Sequence, residues 1–167
     1  MRIVLVGAPD TGKAKFAEQL NNKYRIPWTR SPNYFLENLY LDIPAIGFMA
    51  DYRTELLLAS ERACGMSLEK NMVFTHSVLD NLAYATTIIS LNITSKIISD
   101  QWFSCYTIFT NLFHDSFQHD LVIRFPYKGD DEMMITLENN LNFFLNLYNI
   151  PFVLNTDTAE IERRINV

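Results

Sequence analysis

Two glycines and a lysine near the start of the chain carry its clearest chemistry. The run Gly7-Ala8-Pro9-Asp10-Thr11-Gly12-Lys13-Ala14 fits G-x-x-x-x-G-K-[ST] everywhere but at its last place. Glycines at this spacing let backbone N–H groups turn inward around a phosphate, and the N-terminus of the following helix adds partial positive charge. Lys13 reaches the terminal phosphates as a point charge, and Lys15 stands just beyond it. The expected ligands along Gly7, Ala8, Pro9, Asp10, Thr11, Gly12, Lys13, Ala14 and Lys15 are the phosphates of a nucleotide, with Mg²⁺. Ala14 stands where a Ser or Thr normally gives the metal its hydroxyl, so no direct protein ligand to the metal is identified. Thr11 either donates to a phosphate or shapes the loop. Asp10 either makes a turn or serves an acceptor hydroxyl or the outer shell of Mg²⁺.

A second group of candidates follows the run 71–76, which reads as a buried strand. His76 has the right type for a phosphate contact or a base near neutral pH, and equally for a satisfied structural histidine. Asp80, one helical turn on, could orient His76, hold a metal through water, bind a ribose hydroxyl, or simply favour the helix dipole. Lys13, His76 and Asp80 are the candidate catalytic residues, and Ser77 reads as an N-cap. Arg30, Asp51, Arg53 and Asp80 are the candidate substrate contacts. Asp51 and Glu55 share a helix face, and the bland alternative is an N-cap with solvated charges. Trp28, Phe35, Phe48 and Tyr52 could stack on a base, although aromatic residues at 13% mostly mean core. Arg62 reads as a solvated or ion-paired helix residue. Arg163 and Arg164 suit the last helix's C-terminus. His114, Asp115, His119 and Asp120 suggest a metal by type but not by spacing.

Elements that position these residues alternate along the chain. Strands are expected over 2–6, 26–30 (weakly), 71–76, 120–125 and 151–155. Helices are expected over 12–23, 33–40, 51–69, 77–91, 95–113, 131–148 and 158–165. Such alternation implies right-handed crossovers and a parallel sheet with helices on both faces. Ligands of such sheets bind at the carboxyl ends of the strands, so the phosphate loop, Arg30, His76 and Pro126 should converge on one edge.

Composition narrows the classes. The 167 residues suit a single domain, with 49% hydrophobic residues to fill its core. A formal net charge of -5 argues against nucleic acid as partner. No run has the length and apolarity of a membrane span, no leader is visible at the N-terminus, and a cytoplasmic protein is expected. Cys64 and Cys105 read as reduced packing residues. The broad apolar stripe of 102–113 is either core or a homodimer face.

The chain resembles small P-loop nucleoside and nucleotide kinases, in particular the group that includes ribosylnicotinamide kinase domains. The resemblance rests on the loop Gly7 to Lys13, on Val73-Phe74-Thr75-His76-Ser77-Val78-Leu79-Asp80-Asn81-Leu82-Ala83-Tyr84-Ala85, and on Leu147-Tyr148-Asn149-Ile150-Pro151-Phe152-Val153. It implies a three-layer α/β fold with a five-stranded parallel sheet in the order 2-3-1-4-5. It also implies ATP as donor and a nucleoside, nucleotide or similar small metabolite as acceptor. Adenine would lie near Asn155, Thr156 and Asp157. Three departures fall on the transfer chemistry. Ala14 lacks the hydroxyl, Thr75 and His76 replace an acidic residue and an arginine, and the lid segment 126–131 has no arginine. A phosphotransferase is therefore expected, with a non-catalytic nucleotide-binding module as the rival.

Overall fold

Ile3, Val4, Leu5 and Val6 are all fully buried, which requires cover on both faces of the strand they form. The computed structural model describes residues 1–29, 52–92, 100, 104, 106, 107 and 119–166. Strands β1 (Arg2–Gly7), β2 (Met72–Phe74), β3 (Leu121–Phe125) and β4 (Val153–Leu154) form one sheet. Helices α1 (Lys13–Tyr24), α2 (Tyr52–Leu68), α3 (Val78–Asn92), α4 (Glu132–Leu147) and α5 (Thr158–Ile165) connect and cover them. Every strand pair is parallel, with Val4 opposite Phe74, Gly7 opposite Phe125, and Arg124 opposite Leu154.

Among the described residues the sheet has four strands in the order β2-β1-β3-β4, not five in the order 2-3-1-4-5. The segment 26–30, expected as a strand, contributes one parallel bridge, Trp28 to Val73. Its described ladder is two bonds long: Val73 N–H donates to the Pro27 carbonyl at 2.8 Å, and Thr29 N–H donates to the Val73 carbonyl at 3.0 Å. Pro27 has no N–H to extend the ladder on the other side.

Side-chain alternation sorts the core into two layers. Ile3, Leu5, Val73, Leu121, Ile123 and Phe125 pack with Ala17 and Leu20 of α1 and Ile161 of α5, and Trp28 leans on this cluster. Val4, Val6, Phe74 and Val122 pack with α2, α3 and α4 through Ala63, Met66, Leu82, Leu137 and Leu141. Helices thus cover both faces. Asp131 caps α4 by accepting from Met134 N–H at 2.9 Å, and Asp157 caps α5 by accepting from Glu160 N–H at 3.2 Å. Arg163 and Arg164 both bond Glu160 at 2.7 Å. Cys64 is exposed on α2 and does not pack in the core. Of the helix expected over 95–113, residues 100, 104, 106 and 107 are described, and all are helical. Cys105 and most of that apolar stripe lie outside the described residues, as does the helix expected over 33–40.

One ion pair sits deep between sheet and helix. Arg124 of β3, 1% exposed, meets Glu138 of α4 at 2.5 Å and donates to the carbonyls of Val6 and Phe125 at 3.3 and 3.2 Å. It also donates to Asn142 Oδ1 at 3.3 Å. Arg124 Nε and Glu138 Oε2 have no partner among the described residues, so the pair is incompletely satisfied.

Removing one partner strands a buried charge, whereas removing both does not. Glu138→Ala should lose about 3 kcal/mol, and the double change Arg124→Met with Glu138→Leu about 1 kcal/mol or less, by urea denaturation. A single variant as stable as the parent would contradict this. His119 generates a second expectation. Burial, with a smaller contribution from Arg2, pushes its imidazole down to about 4, and Asp120 opposes the shift. The unfolded chain then binds the proton more tightly than the folded one. Stability is full above about pH 6.5 and falls by roughly 3 kcal/mol toward pH 4 on this account. His119→Gln should flatten the fall between pH 6.5 and 5, and an unchanged slope would show that another group causes it.

Candidate functional site

The phosphate loop leaves β1 at a point with no room for a side chain. A Cβ on Gly7 would meet the Phe125 carbonyl oxygen at 2.4 Å, because β3 lies directly alongside. Gly12 is required for a different reason: its φ of 93° is left-handed, and it stands as N-cap of α1. Asp10 takes a φ of 56°, so it is a turn residue by conformation, and it is exposed. Thr11 Oγ1 donates to the Ala8 carbonyl at 2.8 Å and so shapes the loop. Ala14 and Lys15 are exposed on the first turn of α1.

Lys13 is 7% exposed and makes no ion pair with a carboxylate among the described residues. Its amine donates to the carbonyls of Gly7 and Ala8, the latter at 2.8 Å. Burial lowers its pKa, Asp80 opposes that, and the charges of Arg124 and Arg62 add to the lowering. A cation tucked into the loop's own carbonyls, with two other cations near, is suited to an incoming anion.

Asp80 is 1% exposed and both its oxygens are engaged. Oδ1 accepts from Gly7 N–H at 3.1 Å. Oδ2 accepts from the N–H and hydroxyl of Ser77 at 2.6 and 2.8 Å. Ser77 Oγ in return accepts from Asp80 N–H at 3.1 Å, a reciprocal cap at the start of α3. The carboxylate therefore joins the first glycine of the loop to α3. Its hydrogen-bond partners are Gly7 and Ser77, not His76.

His76 lies just past the end of β2, at the same sheet edge as the loop and Pro126. Its Nδ1 is 3.2 Å from Thr75 Oγ1. Burial, reinforced by the charges of Arg62 and Lys13, holds its pKa well below the ordinary histidine value, so the ring is neutral at pH 7. Thr75, 3% exposed, is bound to Thr29 through backbone and hydroxyl.

Of the two sequence readings of Arg62, the solvated one is corrected. It is not a solvated helix residue: it is 7% exposed, and it donates to Asn81 Oδ1 on α3. Its charge acts on both Lys13 and His76. The one sequence signal was its place among Leu58, Ala59, Ala63 and Met66, all buried on α2. Arg30 and Asp51 lie outside the described residues, as does the side chain of Arg53. Phe35 and Phe48 also lie outside them. Tyr127 folds over Gly129, where an added Cβ would meet its hydroxyl at 2.2 Å. Asn155 donates its N–H to the Arg124 carbonyl at 3.0 Å, at the carboxyl end of β4. Among the described residues no three His, Cys, Asp or Glu side chains gather as a metal site. No described helix is long and apolar enough to cross a membrane.

No family model matches the sequence. No curated protein matches it either. Solved structures do. Deoxyadenosine kinase from M. mycoides with bound dCTP superposes with a TM-score of 0.70 at 17% identity, covering 99% of each chain. NadR protein in complex with NR gives 0.64 at 12% identity, covering 92% of this chain and 42% of that one. Thymidylate kinase from Ehrlichia chaffeensis gives 0.52 at 17% identity, covering 92% and 85%. Together with the loop, the parallel sheet and the buried lysine, these likenesses establish that the chain has the fold of the P-loop nucleoside and nucleotide kinases.

Proposed function

We propose that the protein is an ATP-dependent phosphotransferase acting on a nucleoside, a nucleotide or a similar small metabolite. The observation that carries this is Lys13: a buried amine, without a carboxylate partner among the described residues, held in the mouth of a glycine loop at a helix start. Two of the proteins that share the fold, deoxyadenosine kinase with bound dCTP and thymidylate kinase, are nucleoside or nucleotide kinases by name and support the substrate class.

Lys13 and the N–H groups of residues 10–15 would hold the donor phosphates. The residues fit Mg²⁺ as a phosphate-bound ion. Ala14 has no hydroxyl, the Thr75 hydroxyl is bonded to Thr29, and both Asp80 oxygens are taken. The metal, when bound, neutralises phosphate charge, and Asp10 or Asp80 would serve only its outer shell. Asp80 holds the loop in place. Of the two candidate bases, His76 and Asp80, His76 is then the one left to receive the acceptor hydroxyl. The hydroxyl proton passes to the imidazole as its oxygen bonds the γ-phosphorus. The bond from that phosphorus to the bridging oxygen breaks, and the electron pair leaves on the nucleoside diphosphate. Positioning and charge neutralisation supply most of the rate.

A specific observation favours the rival, a nucleotide-binding module without turnover and with a regulatory or assembly role. Asp80 is the buried carboxylate beside the loop, and it is fully engaged in structural bonds. A phosphotransfer screen across nucleosides and nucleotides separates the two. ATP binding with no turnover on any acceptor would establish the rival.

Lys13→Ala should weaken ATP binding at least tenfold, about 1.4 kcal/mol, by calorimetry on the folded variant. Unchanged affinity would remove the phosphate-loop reading altogether. Ala14→Ser restores a hydroxyl at an exposed helix start. It should tighten the Mg²⁺-dependent part of nucleotide binding and leave the metal-free part alone. An unaltered Mg²⁺ titration would show that the metal is held by phosphate and water only.

A further inference from the structure

The Thr75 hydroxyl has one proton and three polar neighbours. Thr75 Oγ1 lies 3.0 Å from the Thr29 carbonyl oxygen, 3.2 Å from Thr29 Oγ1 and 3.2 Å from His76 Nδ1. A carbonyl can only accept, so the Thr75 proton goes to Thr29 O. Thr29 Oγ1 accepts from Thr75 N–H at 3.0 Å, which leaves its own proton to donate to Thr75 Oγ1. The lone pairs of Thr75 Oγ1 are then the only groups it can offer the histidine. Nδ1 must carry the hydrogen, a tautomer assigned from the partners' chemistry.

Both threonines are nearly inaccessible, at 3% and 4% exposure, so water does not compete for these bonds. The pair is also fixed by the sheet, since Thr29 N–H is bonded to the Val73 carbonyl at 3.0 Å. His76 is neutral for the reasons already given. A neutral imidazole with its hydrogen on Nδ1 has its lone pair on Nε2.

We infer that Thr75 is a positioning residue: with Thr29 it holds His76 in the Nδ1–H tautomer, so that Nε2 is a hydrogen-bond acceptor for a substrate hydroxyl. Thr75 and His76 thus act as one unit, an acid–arginine pair exchanged for a neutral hydroxyl–imidazole relay. The tautomer stands on the hydrogen-bond geometry around a neutral ring, and its use on an acceptor hydroxyl rests on the phosphotransferase reading.

The first test needs no activity. Nitrogen-15 NMR of the parent protein at pH 7.5, with the His76 signals identified by their loss in His76→Gln, reads which ring nitrogen bears the hydrogen. Nδ1–H is expected, and Nε2–H in the parent would overturn the inference. Thr75→Ser should keep the Nδ1–H form, and Thr75→Val should lose its dominance. Full retention in a folded Thr75→Val variant would equally overturn it. If an acceptor that is turned over is found, Thr75→Val should lower kcat by roughly 10- to 100-fold with the KM for ATP unchanged, and Thr75→Ser should restore most of it. An unchanged kcat would sever the tautomer from catalysis and overturn that half of the proposal. A parent that shows Nδ1–H but transfers no phosphate to any acceptor supports the positioning role of Thr75 while removing the phosphotransferase reading.

Discussion

A single carboxylate holds the phosphate loop in register with the rest of the molecule. Asp80 takes the N–H of Gly7 on one oxygen and Ser77 on the other, across 73 residues of chain between the glycine and the acid. Gly7 is the last residue of β1 and Ser77 directly precedes α3, so the same group ties the end of a strand to the start of a helix. A charged acceptor of backbone N–H groups makes bonds stronger than neutral ones, and burial spares them competition from water. Much at the sheet edge depends on this. The loop leaves β1 in a fixed direction, Lys13 lies under the influence of the carboxylate, and α3 presents Asn81 to Arg62. The anionic group offsets part of the crowding among Lys13, Arg62 and Arg124, which otherwise repel one another.

That arrangement separates two tasks that a carboxylate near a nucleotide can perform. An acid free to rotate can meet a metal or a substrate. An acid with both oxygens bonded to backbone and cap keeps a backbone in place. Asp80 is of the second kind, and the site is left with a neutral imidazole where a charged pair is expected from the resemblance. Together with Ala14, this makes the charge at the candidate site predominantly cationic, with phosphate itself the main anionic component once a nucleotide arrives.

What the sequence showed, and what it hid, follows from the range of the interactions involved. The loop was legible because its glycines and lysine are contiguous, and helix α5 because its cap and its last turn are local. The alternating elements, the parallel sheet and the meeting of loop, His76 and Pro126 at one edge followed from periodicity. The strand count was not legible, because ladder length at 26–30 depends on a proline's missing donor and on chain beyond Thr29. Asp80 showed its helical distance from His76 but not its bond to Gly7. Arg62 showed a charge on a helix but not the asparagine on another helix that accepts from it. Arg124 had a visible signal, an arginine inside the apolar run Leu121–Phe125, which only a buried partner such as Glu138 could satisfy. Long-range polar contacts leave little trace in local pattern, and they are the ones that built this edge.

Lys13 bonded to its own loop has a consequence for selectivity. An amine already supplied with two carbonyls does not wait empty; it occupies the place its ligand would claim. Arrival of an anion is then an exchange, in which the newcomer must outbid a resident intramolecular partner. A lone inorganic anion replaces two hydrogen bonds with contacts to one small group. A nucleoside triphosphate brings a longer chain of oxygens, along with a base and sugar that bind elsewhere, and can offset the displacement many times over. On the proposed function, the loop would act as a threshold, less responsive to isolated phosphate than to ligands that engage several of its groups at once.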